Sequence, residues 1–534
     1  MPADEGNRMS FDTIKYDVDG HTATITLNRP DALNALSPHM IRELRAAYDT
    51  AENDDRVWLL IVTGTGRAFC TGADVKEIPG DGRVIYERPY LSTYEQWEAP
   101  QEGTPPFRRM AKPVLAAING LCCGAGLDWV TTGDIVIASE KATFFDPHVS
   151  IGLVAGREVV RLARVLPRSV ALRMALMGKH ERMGAQRAYE LGLVSEIVEH
   201  DRLLERAHEI ADTVNSNAPL AVRAPGWRSS RAWICRCTRP KISPKRSGNA
   251  CCAPTMRRRA QGFCRKTTTE LAMPMSFKTI LLDVDATDRV ATITLSRPDQ
   301  LNAFNRTMCD EMREAWRLVK HDDSVNAVVL RAAGTRAFSA GLDIKTPYGQ
   351  PENIWNHEDP GEALSPKWQK MWKPVVCAVQ GMCTAGAFYF LNESDVVICS
   401  ADARFFDSHV SAGLVCALEP IGLMRRVGLG ETLRIALMGN DERVSAETAL
   451  RIGLVSEVVP AERLWHRAHE IAATIAAKPP SATQGTVKAI WESLDKPYRA
   501  ALEQGLIYTR LGNPIGTAEL AARGQAPVAE PRVR

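Results

Sequence analysis

One pattern is written twice along this chain, and that repetition limits the fold more than any local propensity. The first writing runs ATITLNRPDALNAL from Ala23, AFCTGAD from Ala68, KPVLAAING from Lys112, FFDPHVSIGLV from Phe144 and ELGLVSEIV from Glu190. The second runs ATITLSRPDQLNAF from Ala291, AFSAGLD from Ala337, KPVVCAVQG from Lys373, FFDSHVSAGLV from Phe405 and RIGLVSEVV from Arg451. From Lys112 to Ala211 the two match at a constant offset of 261 residues. A duplication this regular means two structural units of one kind, each of ordinary domain size. The expected units are residues 9–223 and 275–534, joined by residues 224–272, which match neither.

At 45% hydrophobic and 24% charged, each unit can bury a full core. The junction holds twelve Lys and Arg against one acid, Glu270, so the remainder of a +3 chain carries a net charge of −8. An acidic remainder argues against a nucleic-acid surface on the folded units. No apolar run reaches the ~18 residues of a membrane span, and the opening MPADEGNRMS has no secretory apolar core. Thirteen cysteines in such a chain read as reduced thiols, so a cytoplasmic location is expected. Five of them (Cys235, Cys237, Cys251, Cys252 and Cys264) lie in the junction. Their spacing, without a His nearby, does not fit a zinc module, and no metal is expected.

The junction's Arg, Ser and Pro content reads as a disordered basic linker. A shifted frame explains more. Permissible codons for residues 231–261, read two bases later, spell a string with helical apolar spacing and mixed charge. Met9-Ser10-Phe11 opens the first unit and Met275-Ser276-Phe277 the second, as though each had its own start. We therefore expect two neighbouring genes joined by a frameshift near residue 224, with an out-of-frame linker between them. On this view the first unit has lost its C-terminal helices and exposes a core edge. The second is complete, and only it closes its own pocket.

Residues 22–27, 57–63 and 114–118 are short β-branched runs bounded by turn residues, as are 291–295, 327–330 and 375–379 in the second unit. Helical apolar spacing follows at 37–53 and 305–320, with Ser37 and Asn305 as N-caps. Further amphipathic helices are expected at 163–177, 423–438, 203–214 and 464–476, and at 481–494 and 498–511 near the end. Strands alternating with helices imply a layered α/β domain with parallel strands.

Two Gly-centred turns carry the chemistry. In the first unit these are Thr71-Gly72-Ala73-Asp74 and Gly124-Ala125-Gly126-Leu127-Asp128. Small residues let backbone approach a ligand closely, and two N–H donors converging on one carbonyl oxygen make an oxyanion hole. Either turn alone is equally a device for tight packing. Both recur in each unit, with NRPDALNAL or its counterpart upstream and a PH or SH turn downstream, and that recurrence favours a site.

Together these motifs resemble the crotonase, or enoyl-CoA hydratase/isomerase, superfamily over nearly all of residues 9–223 and 276–534. The resemblance implies two β-β-α spiral domains that act on acyl-CoA thioesters and form a trimer-type homo-oligomer, here through the second domain. Coenzyme A would be part of the substrate, with no separate cofactor. A thioester enolate would be held by two backbone N–H groups, which by motif fall on Ala73 and Ala125, and on Leu342 and Gly386. Lys76 and Lys345 would lie near the CoA phosphates.

The family's hydratases pair two Glu residues, and this chain departs from them. Asp128 and His148 stand at those positions in the first unit, Tyr389 and His409 in the second. An Asp/His pair is competent for general acid/base work. Asp146 and Asp407 either substitute for the missing acid or orient the His; a turn histidine held by hydrogen bonds is the plain alternative. The expectation is an enzyme that hydrates 2-enoyl-CoA or shifts its double bond. The other class is a non-catalytic acyl-CoA-binding or assembly protein, which Tyr389 and the damaged first unit favour. Loops 78–111 and 346–372 differ between units, so the acyl group stays open.

Overall fold

The computed structural model describes residues 11–74, 76–77, 110, 112–217, 277–346, 359–523 and 530–534. The junction 224–272, nearly all of loop 78–111 and residues 347–358 of the second loop lie outside these residues.

Each unit builds the same six-stranded sheet. In the first, the order across the sheet is Ile14–Asp19, Thr22–Leu27, Leu59–Gly64, Val114–Ile118, Ile135–Ser139 and Glu196–Val198. In the second it is Ile280–Asp285, Val290–Leu295, Ala327–Ala332, Val375–Val379, Val396–Ser400 and Glu457–Val459. The opening hairpins pair antiparallel and the other neighbours parallel. Val114–Ile118 and Val375–Val379 are buried at every residue, as strands covered on both faces are.

After several of these strands the chain turns at once into a smaller sheet. Its strands in the first unit include Ala68–Cys70, Leu121–Cys123, Thr143–Phe145 and Glu181–Gly184. Two strands followed by a helix, repeated, give the β-β-α spiral in both halves. Helix Pro38–Asn53 begins at Ser37, whose Oγ accepts from the Met40 N–H at 3.1 Å, and Arg306–His321 begins at Asn305, whose Oδ1 accepts from the Met308 N–H at 3.0 Å.

Two expectations need correction. The runs 163–177 and 423–438 are not single helices. Arg157–Val165 and Arg168–Met177 are divided at Pro167, which has no N–H to continue the first. Leu418–Val427 and Leu429–Met438 are divided at Gly428, with φ of 79°.

The second correction concerns which unit is closed. Helices Pro480–Ser493 and Tyr498–Arg523 follow the second unit in sequence but pack on the first. The Val154 N–H donates to Asn513 Oδ1 at 2.8 Å, and the Ala155 N–H to Thr486 Oγ1 at 2.9 Å. Gly505 lies against Gly156, and Gly516 against Gly152, so the last helix approaches with no side chain between. Residues Arg532–Val533 add a parallel strand beside Glu181–Arg182 in the first unit's small sheet. The first unit is therefore covered by the chain's own end.

Among the described residues nothing covers the matching face of the second unit. Val415, Ile421, Leu433 and Leu437 are 47% to 89% exposed, while their repeat partners Val154, Val160, Leu172 and Leu176 are at most 1% exposed. Arg173 shows why the pair holds together. Its guanidinium donates to Glu181 at 2.8 Å and to Ser456 at 3.0 Å, and also bonds Glu457, and all four residues are buried. Among the described residues no helix is long and apolar enough to cross a membrane.

Candidate active site

Ala73 sits in a parallel bridge to Leu36. The Leu36 N–H donates to the Gly72 carbonyl at 2.8 Å, and the Asp74 N–H to the Leu36 carbonyl at 3.1 Å. In such a bridge the middle residue turns its own N–H the other way, so that of Ala73 points away from Leu36. The second turn leaves Leu121–Cys123 through Gly124, at φ 54°, into the short helix Leu127–Thr132. These two turns touch. A Cβ on Gly72, at φ 84°, would stand 3.1 Å from the Ala125 nitrogen, so only glycine fits.

The second unit repeats the arrangement with Phe304, Gly341 and Asp343, and a Cβ on Gly341 would stand 2.9 Å from the Gly386 nitrogen. Leu342 there is 39% exposed. The structure thus brings Ala73 beside Ala125, and Leu342 beside Gly386. Lys76 and Lys345 are exposed just beyond these turns, and each donates its backbone N–H to the preceding aspartate, Asp74 at 3.2 Å and Asp343 at 3.1 Å.

Asp128 is buried on Leu127–Thr132 and ion-paired with Arg161, itself buried on Arg157–Val165. Burial opposes the Arg161 charge, but Asp128 outweighs it, with Tyr498 from the covering helix and Glu158 also acting, so the guanidinium is held protonated. His148 lies at the turn after Thr143–Phe145. Its Nδ1 is 3.0 Å from both oxygens of buried Asp146, and its backbone N–H donates to Asp146 at 3.1 Å. Burial would lower its pKa, yet Asp146, with Glu158 and Asp128 beyond, raises it to about 9. The Asp146 carboxylate is therefore an orienting and charge-holding group for His148.

In the second unit His409 keeps the same pairing, with Nδ1 2.8 Å from Asp407 and Nε2 3.8 Å from Glu419. Tyr389, half-buried, packs its ring on Gly361; burial raises its pKa, aided by Glu419 and by a hydrogen bond to Asp359. No carboxylate stands where Asp128 does. Two residues near the first site escape the motif reading: Arg161, and Glu158, which recurs as Glu419 at the 261-residue offset. That recurrence was visible in the sequence; the Arg161 pairing was not, because Gly422 replaces it in the second unit.

A family model described as enoyl-CoA hydratase/isomerase matches residues 18–225 and again residues 285–510. The chain belongs to that family. Relatives cover one domain's length at a time. A mevalonyl-coenzyme A hydratase of Aspergillus fumigatus is 37% identical over 224 residues, 42% of this chain and 77% of the relative. An (E)-benzylidenesuccinyl-CoA hydratase of Thauera aromatica is 35% identical, across 40% of this chain and 79% of the relative. A solved enoyl-CoA hydratase/isomerase of Mycobacterium paratuberculosis is 88% identical over a match covering 40% of this chain and 81% of that one, at a TM-score of 0.39. Both halves of this enoyl-CoA hydratase/isomerase family enzyme thus carry the family's fold, and only one carries an acid at the Asp128 position.

Proposed function

We propose that the chain adds water to a 2-enoyl-CoA thioester, or shifts its double bond, and that the first domain carries the reaction. The observation that supports this is one covered site holding the Ala73 and Ala125 turns, the Asp128–Arg161 pair and the His148–Asp146 pair. The thioester oxygen accepts from the Ala73 and Ala125 N–H groups as enolate charge develops, each donor worth roughly 3 kcal/mol. For hydration, Asp128 takes a proton from the water that attacks the β-carbon. Cationic His148 gives its proton to the α-carbon. Isomerisation needs only proton removal and return by the same groups. Lys76, at the mouth, suits a CoA phosphate by charge.

Tyr389 leaves the second domain without that acid. We assign to it the covering of the first domain, an assembly role, with Leu342, Gly386, His409 and Lys345 retained as an acyl-CoA-binding remnant. Reduced thiols suit the cytoplasm, and none of the eight described cysteines is in a disulfide.

We also infer a homo-oligomer through the second domain's open face. Arg434 and Glu442 there repeat Arg173 and Glu181, and exposed Ser195 and half-buried Glu196 repeat Ser456 and Glu457. A second copy would bring Ser195 and Glu196 to Arg434 in a head-to-tail contact. Sedimentation that shows only a monomer, unchanged in Leu437→Glu, defeats this assembly.

The catalytic reading is tested by offering the full chain a panel of 2-enoyl-CoA thioesters and following loss of the conjugated double bond. His148→Gln is expected to lower turnover by about 10²–10⁴-fold. Binding without consumption of any thioester would favour the binding-protein alternative.

A further inference from the structure

The two sites differ most in their charge. Beside Asp146, His148 and Glu158 the first domain holds a built-in cation, Arg161. In the second domain Gly422 occupies that position, and Asn392 fills the space a side chain would take. The acids remain: Asp407 and Glu419 repeat Asp146 and Glu158, and Asp359 joins them through Tyr389. Cys416 replaces Ala155 and forms a hydrogen bond with Asp407. Apart from His409, the strongest charges acting on these groups are one another's, so the cluster has excess negative charge.

One ligand atom from each of Asp407, His409 and Cys416 lies within 4.8 Å of the other two. A tetrahedral zinc ion holds such atoms roughly 3.3–3.8 Å apart, so small side-chain rotations would bring them to one ion. Thiolate, imidazole and carboxylate together select zinc over calcium or magnesium. Asp407 is buried, His409 is 21% exposed, and Cys416 is half-buried, so the cluster lies at the edge of the core and is reachable. Ala155, the counterpart of Cys416, lies under Thr486 of the covering helix, whereas the second domain's face is open to entering ions.

We propose that Asp407, His409 and Cys416 bind one divalent transition-metal ion, zinc in preference, with the fourth position open to water. Binding exchanges the Cys416 thiol proton and the His409 Nδ1 proton for the ion, and both protons pass to solvent. The ion supplies the positive charge that Arg161 supplies in the first domain. This holds whether or not the first domain hydrates enoyl thioesters.

The probe is cobalt(II) added to the chelator-treated full chain, with zinc content measured separately after desalting. One cobalt per chain is expected, with an intense thiolate-to-cobalt absorption and visible bands of tetrahedral intensity. Cys416→Ser should abolish the thiolate band, and His409→Asn should weaken binding by at least about 100-fold. A chain with the five junction cysteines changed to Ser should keep both signals. Far-UV circular dichroism checks that each variant is folded. Absence of tight binding overturns the proposal, and so does a thiolate band that survives Cys416→Ser or vanishes with the junction cysteines.

Discussion

Gly516, near the end of the last helix, rests on Gly152 of the other domain so closely that a Cβ on Gly152 would stand 2.6 Å from the Gly516 carbonyl oxygen. Gly156 and Gly505 meet in the same way farther along, with a Cβ on Gly156 2.8 Å from the Gly505 carbonyl. These are backbone contacts, which cannot yield as a flexible side chain can. Gly152 has φ of 75° as well, so a larger residue is strained there on two counts. Gly516→Val, whose Cβ would stand 2.2 Å from the Gly152 carbonyl oxygen, should lift the covering helices from the first domain. The expected outcome is added binding of an apolar dye and faster proteolysis near residue 500, with most far-UV dichroism retained. Wild-type dye binding in this variant would show that the helices are held elsewhere.

Arg173 and Glu457 set the acid limit of the domain contact. Burial raises the Glu457 pKa, but Arg173 and Arg467 overcome this and hold it at about 2, below the usual 4.5. A depressed carboxylate contributes stability above its unfolded pKa and loses it as pH falls through the folded one. Thermal stability should therefore decline between about pH 4.5 and pH 2. Glu457→Gln, which removes one partner of a buried pair, should cost about 3–5 kcal/mol at neutral pH and flatten that decline. An equally steep acid decline in the variant would assign it to other groups.

His148 has the opposite sign. Its pKa rises from 6.5 to about 9, so the pairing with Asp146 contributes fully below about pH 6.5 and fades as pH rises through 9. As the proposed donor to the α-carbon it should also give a turnover profile that falls on the alkaline side near pH 9. Asp146→Asn should move that fall toward pH 6.5. A profile unmoved by Asp146→Asn would remove His148 from the proton path.

Asp128 and Arg161 are best tested as a pair. Asp128→Asn alone strands a buried guanidinium and should destabilise by about 3–5 kcal/mol, whereas Asp128→Leu with Arg161→Met should cost far less. Both versions should lose turnover if Asp128 takes the proton from water. Chemical denaturation and thioester consumption, measured side by side, separate the stability role from the chemical one.

The strands and the helix caps were legible because they follow local rules: β-branched runs, and Ser37 and Asn305 as N-caps. The Gly72–Ala125 contact was legible because a turn that admits only glycine leaves its mark in the sequence. The destination of the last two helices was not. The two domains present related apolar strips 261 residues apart, and an amphipathic helix carries no label for either. What distinguishes the strips is long-range: Gly152 and Gly156 face Gly516 and Gly505, and Asn513 and Thr486 meet backbone amides at Val154 and Ala155. Arg161 stayed hidden for a related reason, since a charge among the apolar residues of Arg157–Val165 reads as a helix edge until Asp128 is placed beside it.

The covering of the first domain by the end of the chain also fixes a stoichiometry. Two folds of one kind are present, but the described residues hold one set of covering helices, and it is committed to the fold that retains the acid. Saturation with a tight thioester analogue should then show one strong and one weak equivalent per polypeptide, a half-of-the-sites count set by chain connectivity.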